Sequence, residues 1–148
     1  MLHIEGITHW ALPVNDLTES EEFYRDLLGL EHKGRLPGGS MSCVAVDGLN
    51  ILLCQRKTAS GQSPDQFATH HSFTVNPATF EDSVRILHDR GVTITQLVYR
   101  EKGFFTGREL YFLDPSGNRL ELRDPTWVPG MPNPTIDQIV AAGAPVTS

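Results

Sequence analysis

Residues 8–15 read T-H-W-A-L-P-V-N, and residues 69–76 read T-H-H-S-F-T-V-N. Thr, His, Val and Asn recur in register, while Ala/Ser and Leu/Phe are near-equivalents. A match over so short a stretch carries weight only when its surroundings repeat, and here they do. The first copy is followed by Thr18-Glu19-Ser20-Glu21, which reads as a capping box. An apolar stripe of Phe23, Tyr24, Leu27 and Leu28 then ends at Gly29. After the second copy, Asn76-Pro77 supplies a cap and a first-turn proline, and Phe80, Val84 and Leu87 form a stripe that ends at Gly91. Strand-like segments come next in each half, at about 31–36, 41–47 and 49–54, then at about 92–99, 108–114 and 118–123. Each half thus predicts a strand, a helix and three strands within about 60 residues. The fold class that follows is α+β: two βαβββ modules in tandem, about 5–55 and 67–124, as two small sheets within one domain over 1–124.

Local chemistry refines this outline. Pro13 cannot donate to a strand ladder, so the first strand belongs at a sheet edge or carries a bulge. Gly-rich 37–39 and polar 55–66 read as loops, the second also linking the halves. From Pro125 the tail, 125–148, turns proline-rich and irregular, with room for one short helix at 135–142. A formal charge of −6 over 148 residues excludes a basic nucleic-acid clamp. Two cysteines, Cys43 and Cys54, are too few for a disulfide framework and read as small core residues. The opening M-L-H-I-E-G-I-T-H-W lacks a secretory pattern, and no apolar run approaches the roughly 18 residues a membrane span needs. The expectation is a cytoplasmic protein that binds neither nucleic acid nor membrane.

The repeat also selects the residues with chemical potential. His9 and His70 hold the same place in the two copies, so packing about a pseudo-twofold would bring their imidazoles together. Strand alternation sets Ala11 beside His9, and Ser72 and Thr74 beside His70, leaving room for a ligand. Glu121 is a carboxylate inside the apolar strand Arg119-Leu120-Glu121-Leu122, and a buried lone charge is costly unless something such as a metal neutralises it. Residues 111 to 121 read as a hairpin turning around Ser116, which puts Tyr111 across from Glu121 with its hydroxyl on the carboxylate's side. Two histidines and a carboxylate leave open positions on one divalent metal ion. Fe(II) or Mn(II) is favoured, and Zn(II), Ni(II) and Co(II) also accept such a set. Aligning the two halves puts Leu52 at the position of Glu121, so the first half offers no matching carboxylate. His71 alternates away from His70 and reads as structural, while His3, His32 and His88 read as surface residues.

The patterns T-H-W-A-L-P-V-N-D, F-Y-R-D-L-L-G-L, T-H-H-S-F-T-V and L-Y-F-L-D-P-S-G-N-R-L-E-L resemble the vicinal oxygen chelate superfamily. This is the glyoxalase, bleomycin-resistance and extradiol-dioxygenase group. The resemblance implies paired modules forming a cupped mixed sheet around one divalent metal, with ligands on His9, His70 and Glu121 and a family tyrosine on Tyr111. It also implies a homodimer. In such a protein the substrate chelates the metal through adjacent oxygens, and Tyr111 donates a hydrogen bond to a bound oxygen. Leu52 speaks against a glyoxalase I-like ligand set, and Ala11 stands where fosfomycin-resistance proteins have Thr. The loop R-E-K-G-F-F-T-G-R, with Lys102 and Arg108, is expected to rim the pocket and favour an anionic or aromatic small-molecule substrate. Extradiol-type oxygenation is placed slightly ahead of a glyoxalase-like lyase or isomerase and of a fosfomycin-resistance-type thiol transferase. The reading from a different class is a non-catalytic drug-binding protein.

Overall fold

The computed structural model describes residues 1–3, 5–59 and 69–143. Most of the expected 55–66 linker therefore lies outside the described residues. The chain forms two compact units. One holds the described residues up to 59 together with Pro115–Asn118; the other holds the described residues 69–114 and 119–143.

In the first unit, β1 (His9–Val14), β2 (Glu31–Arg35), β3 (Met41–Val46) and β4 (Leu49–Gln55) make one sheet in the order β1-β4-β3-β2. β1 runs parallel to β4, and the other pairs are antiparallel. Pro13 sits on this edge strand, where its missing N–H costs no ladder bond. One sheet face, carrying Leu12, Val14, Ile51 and Leu53, is buried. Between β1 and β2 lie α1 (Leu17–Glu21) and a π-helical continuation, Glu22–Leu27. Gly29, at φ 75°, then allows the reversal into β2.

The helix start differs from the expected capping box. Asp16 is the cap, its side chain accepting from the Glu19 backbone N–H at 2.8 Å. Glu21 instead turns inward. Its two oxygens accept from the Arg35 fork at 3.1 and 3.0 Å, and His32 Nε2 lies 3.2 Å away. His32 is thus half-buried, not a free surface residue. The Arg35 guanidinium, ahead of the Ser42 and His32 hydrogen bonds, holds the Glu21 carboxyl down at about 2. A depressed carboxylate stabilises the fold fully above its ordinary pKa and loses that contribution as pH falls through 4.5 towards 2. Because Arg35 is half exposed to water, the contribution is about 2 kcal/mol. Urea unfolding of wild type and Glu21→Gln should therefore differ by that amount at pH 7, with the gap narrowing below pH 4.5 and closing only once the pH is below about 2. A gap that stays constant with pH would disprove the assignment.

The second unit repeats the plan. β5 (His70–Thr74), β6 (Ile94–Arg100), β7 (Gly107–Leu113) and β8 (Arg119–Asp124) are ordered β5-β8-β7-β6, with β5 parallel to β8. The helix α2 (Pro77–Asp89) starts where the sequence predicts: Asn76 accepts from the Thr79 N–H at 2.8 Å, and Pro77 occupies the first turn. Its stripe of Phe80, Val84 and Leu87 is buried, as are Leu110, Phe112 and Leu120 on one face of the sheet. The opposite face of that sheet carries the charged and aromatic groups described below.

After β8 the described residues up to 143 pack against this unit. Trp127 stacks obliquely on Tyr99, ring centres 5.0 Å apart, and its Nε1–H donates to the Pro132 carbonyl at 2.9 Å. The Tyr99 hydroxyl donates to the Pro134 carbonyl at 2.6 Å. A short helix, α3 (Ile136–Ala142), follows a Thr135/Gln138 capping box and buries Ile139. The α+β class and the tandem strand–helix–three-strand modules are as the sequence predicts.

Candidate metal centre and substrate cavity

The site-bearing face of the second sheet follows from register and alternation. Tyr111 pairs directly with Glu121, and Glu109 with Arg123, across β7 and β8. Ser72 on β5 lies opposite Glu121, and His70 opposite Arg119. Side chains at alternate positions share a face, so His70, Ser72, Glu109, Tyr111, Glu121 and Arg123 all project the same way. They line a cavity of about 640 Å³, whose mouth is the loop between β6 and β7.

At its floor, His70 Nε2 stands 3.3 Å from Glu121 Oε2. Glu121 is almost wholly buried, whereas His70 is partly open to the cavity. Burial pushes the Glu121 carboxyl up, and the negative charge of Glu109 pushes it further; His70, Ser72 and Arg123 offset this only in part. A carboxylate in that position gains from a neighbouring cation. Imidazole nitrogen and carboxylate oxygen are the donors a borderline divalent ion accepts. Bonds of about 2.0–2.2 Å put neighbouring ligands roughly 3 Å apart, which this pair matches. Within the second unit, among the described residues, the convergence stops at these two donors. His9 is exposed on β1 of the first unit, in register with Asn50. Leu52, in register with Ala11, brings no carboxylate to that sheet.

Tyr111 stands beside the pair, its ring edge-on to His70 at 5.7 Å between centres. The Arg119 guanidinium lies over its other surface at 3.9 Å. Its hydroxyl, however, donates to Glu109 Oε2 at 2.9 Å, not to Glu121. Burial and this hydrogen bond push the phenol up, so it remains a proton-bearing donor at neutral pH. Glu109 is the residue sequence reasoning missed. It is 2% exposed and is held by a bidentate fork from Arg100, with Nε and Nη2 at 2.8 and 3.0 Å. Burial alone would raise its pKa, but the Arg100 fork and the Tyr111 hydroxyl outweigh burial and the carboxyl ends lowered. Counting back two from Tyr111 would have found it.

The two loop cations part company. Lys102 is exposed and lines the cavity. Arg108 does not line it, contrary to the sequence expectation. Position 108 is odd-numbered steps from Tyr111 along β7, so alternation turns it to the α2 side. There its Nε donates to Asp124 Oδ2 at 2.8 Å, Nη1 to Glu81 at 3.1 Å and Nη2 to the Pro77 carbonyl at 3.1 Å.

Comparison with known proteins places this arrangement in a class. The family model for the Glyoxalase/Bleomycin resistance protein/Dioxygenase superfamily matches residues 6–122, and the chain belongs to that superfamily. It is similar to a glutathione transferase FosA of Serratia marcescens, with 33% identity over 80% of each chain. A metallothiol transferase FosB of Staphylococcus epidermidis is 30% identical over 80% of this chain and 83% of its own. Among solved structures, a glyoxalase/dioxygenase from Nostoc punctiforme superposes with a TM-score of 0.66 and 26% identity, covering 81% of this chain and 90% of that one. Both named relatives are enzymes, one of them a metalloenzyme by name, and this chain is an enzyme of the same metal-dependent superfamily. They support the thiol-transferase alternative over extradiol oxygenation. Among the described residues, no helix is long and apolar enough to cross a membrane.

Proposed function

We propose that the chain is a divalent-metal-dependent thiol transferase acting on a small oxygen-rich anion. The observation that carries this reading is the His70–Glu121 pair at the floor of a cavity rimmed by Arg100 and Lys102. His9, His70 and Glu121 would hold the metal, with Mn(II) or Fe(II) favoured by the donor set. When bound, such an ion supplies Lewis acidity towards substrate oxygens that chelate it. The protein's own groups do the rest. Tyr111, kept protonated and aimed by Glu109, donates a hydrogen bond to a substrate oxygen. Arg100, locked on Glu109, presents its remaining N–H groups as a fixed anion contact, and Lys102 adds a mobile one.

An extradiol reading would want a further imidazole as acid–base. Among the described residues lining the cavity, the histidine is His70. Ala11, where fosfomycin-resistance proteins carry Thr, points to an electrophile of different shape from theirs. A homodimer and a cytoplasmic site of action are part of the proposal; a thiol co-substrate suits a reducing compartment.

The test uses protein loaded with Mn²⁺ and verified for metal content. Glutathione and cysteine are offered with a panel of small electrophilic anions, fosfomycin included, while free thiol is followed. Thiol loss above background that disappears in His9→Ala and His70→Ala is expected. No thiol loss across the panel, from protein that holds its metal, overturns the reading.

A further inference from the structure

Phe104 and Phe105 stand on the six-residue stretch between β6 and β7, and both line the cavity. Phe104 is fully exposed and Phe105 is 68% exposed. Large aromatic side chains held this open lose stability to solvent unless something covers them for part of the time. Their neighbours say what. Behind the rings lie three cations, Arg100, Lys102 and Arg123, and two carboxylates, Glu109 and Glu121. Arg100 is engaged by the Glu109 carboxylate through both oxygens. Arg123 reaches the Thr106 carbonyl with Nη2 at 2.8 Å, and its guanidinium stands 5.3 Å from the Phe105 ring centre. The loop therefore presents aromatic faces outside and, inside, one cation more than the carboxylates balance, since Arg100 pairs with Glu109 and Arg123 with Glu121.

We infer that Phe104 and Phe105 clamp an aromatic ring carried by the anionic substrate, whose charged head sits against Lys102 and Arg100. The occupant is thus an aryl-bearing organic oxyanion, larger than a bare small anion. A planar ring fits the site because it can stack offset on Phe105, continuing the Arg123–Phe105 stack, while Phe104 closes from the other side. This inference rests on the cavity being the substrate site, and not on the metal.

Phenylphosphonate and methylphosphonate are the probes, titrated calorimetrically into Mn²⁺-loaded and chelator-treated full-length protein. Wild type is expected to bind phenylphosphonate roughly 10-fold tighter than methylphosphonate, in either metal state. Phe104→Ala/Phe105→Ala should bring that ratio near one, and Lys102→Ala should weaken both probes alike. Because both rings are exposed, the double variant keeps its circular dichroism and melting temperature. Equal binding of the two probes by wild type, or a preference that survives the double variant, overturns the inference. So does a change in oligomeric state on removing the rings, seen by sedimentation, which would make them a subunit contact. Failure of Mn²⁺ to bind at all defeats the proposed function while leaving the ring preference measurable in metal-free protein.

Discussion

Glu121→Gln should weaken Mn²⁺ binding by about 100-fold or more, since even groups behind the ligands are worth about 10–100-fold. The substitution keeps shape and a hydrogen-bonding oxygen opposite Ser72, and exchanges the other carboxylate oxygen and the charge for an amide NH2. The informative companion measurement is stability. Glu121 is 3% exposed, and its burial and the nearby Glu109 charge both disfavour the ionised form. A carboxylate kept there for packing or for its Arg123 contact at 3.4 Å would cost stability when neutralised. One kept for a cation should leave the metal-free protein as stable as before, or more so. The expected pattern is therefore lost metal affinity with an unchanged or raised melting temperature. Retained Mn²⁺ affinity, measured by titration calorimetry or by the free-ion paramagnetic resonance signal, would end the assignment of Glu121 as a ligand.

Much of this was legible in the chain, for identifiable reasons. The repeat gave the module order because each copy carries its own local signals. Asn76-Pro77 starts a helix wherever it stands, and Pro13 excludes a central strand in any context. Counting five residues each way from Ser116 set Tyr111 opposite Glu121, since hairpin register is fixed by the turn. What escaped was decided at a distance. Thr18 to Glu21 satisfies a capping pattern, yet Asp16 wins the cap and Glu21 is drawn to Arg35 across the unit. Asp16, three residues before Glu19, was a local signal for the cap, whereas the arginine that draws Glu21 inward lies 14 residues further along. Glu109 was overlooked because a charged residue next to Arg108 at the end of a polar loop looks solvated. Only pairing β6 with β7 sets Arg100 close enough to neutralise it. Arg108 was misplaced by treating a loop's charges as one group, when strand β7 had already begun at Gly107.

That misplacement yields the second large effect. Arg108→Ala is expected to destabilise the protein by about 3–5 kcal/mol, the range for removing one partner of a buried ion pair. Asp124 is 1% exposed, and its Oδ2 would lose the guanidinium at 2.8 Å, keeping only Thr126 on its other oxygen. Glu81 and the Pro77 carbonyl would lose their donors too, so the start of α2 would come loose from β7. The stack of the guanidinium on Phe80, at 4.5 Å, goes with them. For a chain of this size the melting temperature should fall by roughly 10 °C. Arg108→Lys cannot reproduce the three-way fork and should lie between. Adding Asp124→Asn to Arg108→Met removes the stranded charge and should recover part of the loss. Lys102→Ala should behave in the opposite way, with normal melting and weakened binding of anions. Should Arg108→Ala melt within a degree or two of wild type while anion affinity drops, this arginine would belong to the cavity after all, and the face assigned to it by strand alternation would be wrong.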